Sequence, residues 1–243
     1  MVALVTGAGQ PIGAEIVLTL AKNGIHVVVH YNTSSKKAKD LAETLKKIGV
    51  SAWTIHADFA NHAKSPDLVS RAAEIAKQPI SILINNASIY PENSITTLTL
   101  DDLVKSIDIN AYAPLLLMRS LARQAPKSGG VVVNILDNRL HGQDSLHAAY
   151  LLSKQMFASI TKTCALEFAP RIRVTGIAPG LILPPKGKPP VHVKRLQNTI
   201  PLMRHGTPQD IANAVMFCIS STFLTGDIIY IDGGKHLLGP MGL

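Results

Sequence analysis

Val2-Ala3-Leu4-Val5-Thr6-Gly7-Ala8-Gly9-Gln10-Pro11-Ile12-Gly13 begins as a short apolar run, breaks at a glycine and resumes as an amphipathic repeat, with Ile16, Val17 and Leu20 following Ile12 up to Asn23-Gly24. That is the pattern of a buried strand, a tight glycine turn, a helix and a stop. The same rhythm continues. Ile25–His30 reads as a strand, Ser34–Ile48 as a helix closed by Gly49, and 51–57 as a third strand. Helices follow near 66–77, 100–124, 148–168 and 208–220, with strands at 80–85, 130–136, 172–178 and 227–231 between and after them. Strands apolar on both faces and separated by helices predict a parallel sheet covered on both sides, an α/β doubly wound fold of about seven strands. No linker or repeat divides the chain, so one domain, 1–243, is expected. The Pro-rich stretch 181–191 is read as a loop over a site.

Composition narrows the class. The chain has 243 residues, of which 47% are hydrophobic and only 16% charged. This excludes disorder, because enough apolar surface is present to build a core. No apolar run reaches the roughly 20 residues that span a bilayer, and the first residues lack a basic head before an apolar stretch. A cytoplasmic protein is expected, without membrane partners. Two cysteines, Cys164 and Cys218, offer neither a disulfide framework nor metal spacing and read as core fillers. Lys and Arg number 24 against 16 Asp and Glu, giving +8. The runs Lys36, Lys37, Lys39, Lys46, Lys47 and Lys186, Lys188, Lys194, Arg195 lack interleaved stacking aromatics. They read as solvated faces rather than as a nucleic-acid surface.

In such sheets ligands bind beyond the carboxyl ends of the strands, and the first turn carries phosphate contacts. Gly7 and Gly9 allow close backbone approach, Gly13 allows the helix to pack on the sheet, and the helix N-terminus supplies partial positive charge. Pro11 suits a first helical position. A dinucleotide with a free ribose hydroxyl usually meets an acid at the end of the second strand, and none is present. His30-Tyr31-Asn32-Thr33-Ser34-Ser35-Lys36-Lys37 instead offers hydroxyls and amines, which suit a 2′-phosphate. NADPH is therefore expected in preference to NADH. Further on, Tyr150 and Lys154 lie four apart in a helical pattern and share a face. A nearby ammonium is expected to lower the phenol pKa and make Tyr150 a better proton donor.

Taken together, these motifs resemble the short-chain dehydrogenase/reductase family over essentially the whole chain. Thr6-Gly7 to Gly13 matches its T-G-x-x-x-G-x-G turn, Asn85-Asn86-Ala87-Ser88 its N-N-A-G, and Tyr150 to Lys154 its Y-x-x-x-K. Asn110, Pro179-Gly180 and Asp232-Gly233-Gly234 fall at further family positions, and Asp58 matches an adenine-contacting Asp. The resemblance implies a Rossmann-type domain in which Tyr150 donates a proton, Lys154 positions the ribose and Asn110 holds a relay water. Gly7, Gly9, Gln10, Pro11, Ile12, His30, Tyr31, Asn32, Thr33, Ser34, Asp58, Phe59, Asn86, Ala87, Ser88, Pro179, Gly180 and Ile182 would then line the cofactor together with Tyr150 and Lys154. It also implies a homotetramer.

Three positions depart from the pattern. Pro11 replaces the middle glycine, Gln10 an Arg that often binds the 2′-phosphate, and Asp137 the substrate-orienting Ser, thirteen residues before Tyr150. The last changes the chemistry. A hydroxyl stabilises the oxyanion of ketone reduction, whereas a carboxylate repels it and instead accepts from N–H groups or hands a proton to a ring nitrogen. Asp137 before Tyr150 and Lys154 resembles the pteridine reductases, as do HYNTS, ADF, NNAS and PGLIL. By that resemblance Ser88 and Tyr90 line the pterin with the Tyr90 ring stacked on it, while Leu181, Ile182 and Leu183 wall it. His141 and His147 receive no role. The expected activity is NADPH-dependent reduction of a dihydropterin by Asp137, Tyr150, Lys154 and Asn110. The alternatives are a carbonyl reductase such as a 3-oxoacyl thioester reductase, and a nucleotide-binding protein without chemistry.

Overall fold

The computed structural model describes residues 1–60, 67–140, 142, 145–184 and 196–238. Seven strands, β1 (Val2–Val5), β2 (His26–Tyr31), β3 (Ala52–His56), β4 (Ile82–Asn85), β5 (Gly130–Ile135), β6 (Ile172–Pro179) and β7 (Ile228–Ile231), form one sheet. Its order is β3-β2-β1-β4-β5-β6-β7, and every pairing is parallel. The direction of winding reverses between β1 and β4. The doubly wound reading of the sequence is thereby met, with one apolar cluster on each face of the sheet.

The helices are α1 (Pro11–Lys22), α2 (Ser35–Ile48), α3 (Leu68–Ala76), α4 (Leu100–Ile107), α5 (Ala113–Gln124), α6 (Ala148–Phe168) and α7 (Pro208–Ser220). Helix α1 buries Ile16, Val17 and Leu20, the periodic residues that predicted it. Gly49 ends α2 in the left-handed region. Cys164 and Cys218 are buried and unpaired, as core fillers should be.

One expectation needs correction. The single helix read over 100–124 is divided by a π-helical turn, Asp108–Tyr112. Pro114 supplies the reason, since it has no N–H to give the carbonyl four residues earlier, that of Asn110. The Ala113 N–H bonds instead to the Asp108 carbonyl, one residue further back than in an α-helix. Asn134, the one polar side chain of the strand read at 130–136, lies fully buried. It pairs with Asn85 across the ladder, accepts that residue's amide at 2.8 Å and donates to Thr161 of α6 at 2.9 Å.

Among the described residues, no helix is long and apolar enough to cross a membrane, and no cluster of His, Cys, Asp or Glu could hold a metal. The run Lys186, Lys188, Lys194, Arg195, the greater part of the 181–191 loop, the first residue of the helix expected at 66, His141 and residues 239–243 lie outside the described residues.

Candidate active site

The carboxyl ends of the parallel strands bring the predicted positions to one edge of the sheet. Gly7 adopts φ +64°, and a Cβ there would lie 2.8 Å from the Ala87 Cα. A Cβ on Gly13 would lie 2.7 Å from the Ala8 Cα, so the first turn requires glycine at both places. Helix α1 opens with no acidic residue in its first turn and no side-chain cap from Gln10. Its N-terminal positive field is left for an anion. Asn32, Thr33, Lys36 and Lys37 are exposed beyond β2, with Ser34 capping α2 and half-buried. Asp58 accepts from the Asn32 amide at 3.2 Å and from the Ala60 N–H at 3.0 Å.

Several expected cofactor residues face inward. The His30 ring is 1% exposed and stacks on Phe59 with centroids 4.6 Å apart. Its Nδ1 accepts the Gly7 N–H at 3.2 Å, so the proton resides on Nε2, which donates to the Ala57 carbonyl at 3.1 Å. Burial pulls its pKa down to about 4. His30 thus ties the glycine turn to the end of β3 as a neutral brace instead of presenting its ring to a ligand. Asn86 likewise spends its amide on the carbonyls of Thr6 and Gly7. The Thr6 hydroxyl accepts the N–H groups of Asn86 and Ala87 at 2.9 and 3.0 Å, joining the turn after β1 to that after β4.

At the other end, Tyr150 and Lys154 project from one face of α6, as their spacing predicts. Tyr150 is 8% exposed and donates its hydroxyl to Asp137 Oδ2 at 2.8 Å. Lys154 is 2% exposed, donates to the Ile135 carbonyl at 2.8 Å and has its Nζ 5.7 Å from the Tyr150 ring centre. The expected lowering of the phenol pKa is overturned among this chain's own groups. Burial, then the Asp137 charge and hydrogen bond, hold Tyr150 well above its ordinary value, with Arg139 opposing. Burial brings Lys154 down to about 8 against the pull of Asp137.

Arg139 was invisible to the sequence reading. Asp137 accepts the Arg139 backbone N–H at 2.9 Å, an Asx turn that starts the 3-10 turn Asn138–Leu140. The guanidinium then folds back onto the same carboxylate, with Nε to Oδ1 at 3.0 Å and Nη2 to Oδ2 at 3.0 Å. Burial opposes the charge of Arg139, but the Asp137 hydrogen bond and charge outweigh it and raise its pKa. Nη1 donates to the Tyr90 hydroxyl at 3.1 Å. An acid followed two residues later by Arg at a strand end was the available signal.

Tyr90 meets Tyr150 edge-on at 4.6 Å and stacks on His147 at 4.0 Å. His147, set aside on sequence, therefore covers one face of the ring expected to receive a pterin. Asn110, placed by the π turn, is fully buried. Its Oδ1 accepts from Ser88 Oγ and the Ile89 N–H, and its Nδ2 donates to the Ile89 carbonyl and Ser153 Oγ. All four hydrogen-bonding positions of the amide are filled by protein. The side chain fastens the loop after β4 to α6 and has none left for the expected water. At the end of β6 Pro179 is buried; beyond it Ile182 is buried, Leu181 half-buried and Leu183 exposed, with the Gly180 N–H donating to the Ile231 carbonyl. Asp232, 6% exposed, accepts from Asn138, Gly234 and both the N–H and ring of His236, binding the chain after β7 to the loop that carries Asp137.

A family model described as enoyl-(acyl carrier protein) reductase matches residues 7–236. The chain belongs to the short-chain dehydrogenase/reductase family, whose members are oxidoreductases. Among solved structures it is similar to the FolM alternative dihydrofolate reductase 1 of Brucella canis complexed with NADP, at 32% identity and TM-score 0.91 over 97% of this chain and 94% of that one. Among curated relatives it is 31% identical to the 3-oxoacyl-[acyl-carrier-protein] reductase FabG of Staphylococcus epidermidis, covering 97% of this chain and 98% of the relative. An uncharacterized oxidoreductase of Thermotoga maritima is 31% identical over 96% of both chains.

Proposed function

We propose that this protein is an NADPH-dependent reductase of a dihydropterin. The single observation that carries the reading is the Asp137 carboxylate receiving the Tyr150 hydroxyl at 2.8 Å at the end of β5. A carboxylate there suits a substrate with ring N–H groups and a C=N bond better than a ketone. The likeness to the Brucella FolM enzyme supports it. The residues present fit the dinucleotide: glycines that admit a close backbone approach, a helix N-terminus free of acid, and amines and hydroxyls but no acid in the segment 31–37 after β2.

When bound, NADPH supplies a hydride to the ring carbon. Tyr150 gives its proton to the adjacent nitrogen, so one C=N becomes CH–NH, and solvent restores the phenol. Lys154 holds the ribose, and Asp137, its two oxygens taken by Arg139 and Tyr150, orients the Tyr150 hydroxyl. Tyr90, Ser88, Leu181 and Leu183 border the heterocycle, within one domain, 1–243, whose substrate loop lies near 181–200. We place this enzyme in the cytoplasm as a homotetramer. Exposed Val104 on α4, Tyr112 on the π turn, Leu152 and Met156 on α6 and Phe217 on α7 support the assembly.

The similarity to FabG keeps a 3-oxoacyl thioester reductase as the second reading. Assays of NADPH consumption with a 7,8-dihydropterin and with a 3-oxoacyl thioester separate the two. Pterin turnover lost in both Asp137→Ser and Tyr150→Phe is the expected result. Thioester turnover alone, kept or improved in Asp137→Ser, would overturn it.

A further inference from the structure

We propose that Arg139 is a positioning residue for proton transfer, its guanidinium balancing the Asp137 carboxylate so that Tyr150 can release its proton beside it. This rests on Tyr150 as the proton donor and deepens the reading above. The difficulty it resolves is one of charge. A phenol that gives up its proton while hydrogen-bonded to a carboxylate leaves two anions 2.8 Å apart in a buried site. In water-poor surroundings like charges at such a distance strongly oppose the step.

One ammonium is poorly placed to offset both. Lys154 points its Nζ at the Ile135 carbonyl and stands 5.7 Å from the Tyr150 ring centre. Arg139 grips the carboxylate itself, with its Cζ 5.5 Å from the same centre and 5.4 Å from that of Tyr90. Among the described residues, the two cations set two positive charges against carboxylate and phenolate. The groups around Tyr150 among the described residues are Asp137 and Arg139 from the loop after β5, Lys154 from its own helix, and Tyr90 edge-on from the loop after β4 with His147 stacked behind it. The direction of the Tyr150 shift agrees, since Arg139 is the group that lowers it while Asp137 and burial raise it.

A merely structural role does not account for the side chain. The backbone N–H of Arg139 already closes the Asx turn on Asp137, and any residue other than proline would supply that bond. The guanidinium adds a second, two-pronged grip on the same carboxylate and a bond to the Tyr90 hydroxyl, drawing three site residues into one frame. A fork of this shape fixes the carboxylate plane as an ammonium does not.

The test is a double-mutant cycle on kcat with Asp137→Asn, Arg139→Met and both together, with Arg139→Lys as the charge-conserving control. Turnover is followed with the 7,8-dihydropterin and the 3-oxoacyl thioester in parallel, beside NADPH binding by fluorescence. Arg139→Met is expected to lower kcat by about 100-fold, in the range of a lost acid–base contribution, with NADPH affinity and KM little changed and a larger solvent deuterium isotope effect. Arg139→Lys should regain most of the rate. In the Arg139→Met background, Asp137→Asn should cost less than in the wild type or raise the rate, because it removes the unbalanced anion. Equal cost of Asp137→Asn in both backgrounds, or an unchanged isotope effect in Arg139→Met, would overturn the proposal. Failure of the pterin reading shows separately, as absent pterin turnover in the wild type while the cycle is decided on the thioester.

Discussion

At the scale of single residues, the site is a set of buried ionisable groups that restrain one another. Lys154, with its pKa brought down to about 8, is protonated below that value and loses its charge above it. Turnover is therefore expected to fall as the pH is raised through about 8, and a pH profile of kcat/KM checks this. Tyr150→Phe should abolish turnover by about 100-fold or more while leaving NADPH binding intact in a fluorescence titration. His30 gives a prediction of another kind. Its pKa is 6.5 unfolded and about 4 folded, so the unfolded chain binds the proton more readily between those values. Stability is full above about 6.5 and is lost as the pH falls, by roughly 3 kcal/mol by about pH 4. Urea titrations of wild type and His30→Gln across that window should show the slope in the former and its flattening in the latter. Position along the chain and the motifs made Asp137, Tyr150 and Lys154 legible. Orientation was not, because the inward turn of the His30 ring and the fold-back of Arg139 depend on neighbours distant in sequence.

At the scale of elements, the apolar periodicity located the seven strands and the α-helices of the described residues to within a few positions, apart from the break that divides 100–124. What it could not express was a residue whose partner lies across the sheet. Asn134 sits in a run that otherwise signals a dry strand, and only the β4–β5 register shows that Asn85 satisfies it. Replacing Asn134 by Leu should cost about 1–3 kcal/mol in chemical denaturation, because it leaves the buried Asn85 amide without its acceptor, while the Thr161 hydroxyl keeps its bond to the Phe157 carbonyl. The π turn was similarly hidden. Leucine spacing over 100–124 suggests one helix, and the only written sign of the interruption is Pro114. The turn nevertheless sets Asn110 between the loop at Ser88–Ile89 and Ser153. Asn110→Ala therefore removes four hydrogen bonds, and its expected signature is a drop in kcat with faster proteolysis of the loop after β4.

At the scale of the whole molecule, a single parallel sheet gathers the site from segments spread over the entire chain. The proposed homotetramer predicts a mass in light scattering of four times the 26.0 kDa chain. Charge replacement at both Phe217 and Tyr112 should reduce that mass. The reversal of winding between β1 and β4 also divides the labour: the turn at Gly7–Gly13, the residues after β2 and Asp58 belong to one wing, whereas Ser88, Asp137, Arg139, Tyr150 and Lys154 belong to the other. The wings are stitched by the β1–β4 ladder and by Thr6 with Asn86 and Ala87. On the proposed reading the choice of nucleotide is written before residue 67 and the reaction after residue 80, and a chimera of two relatives joined between them is expected to take its nucleotide preference from the first parent and its substrate from the second.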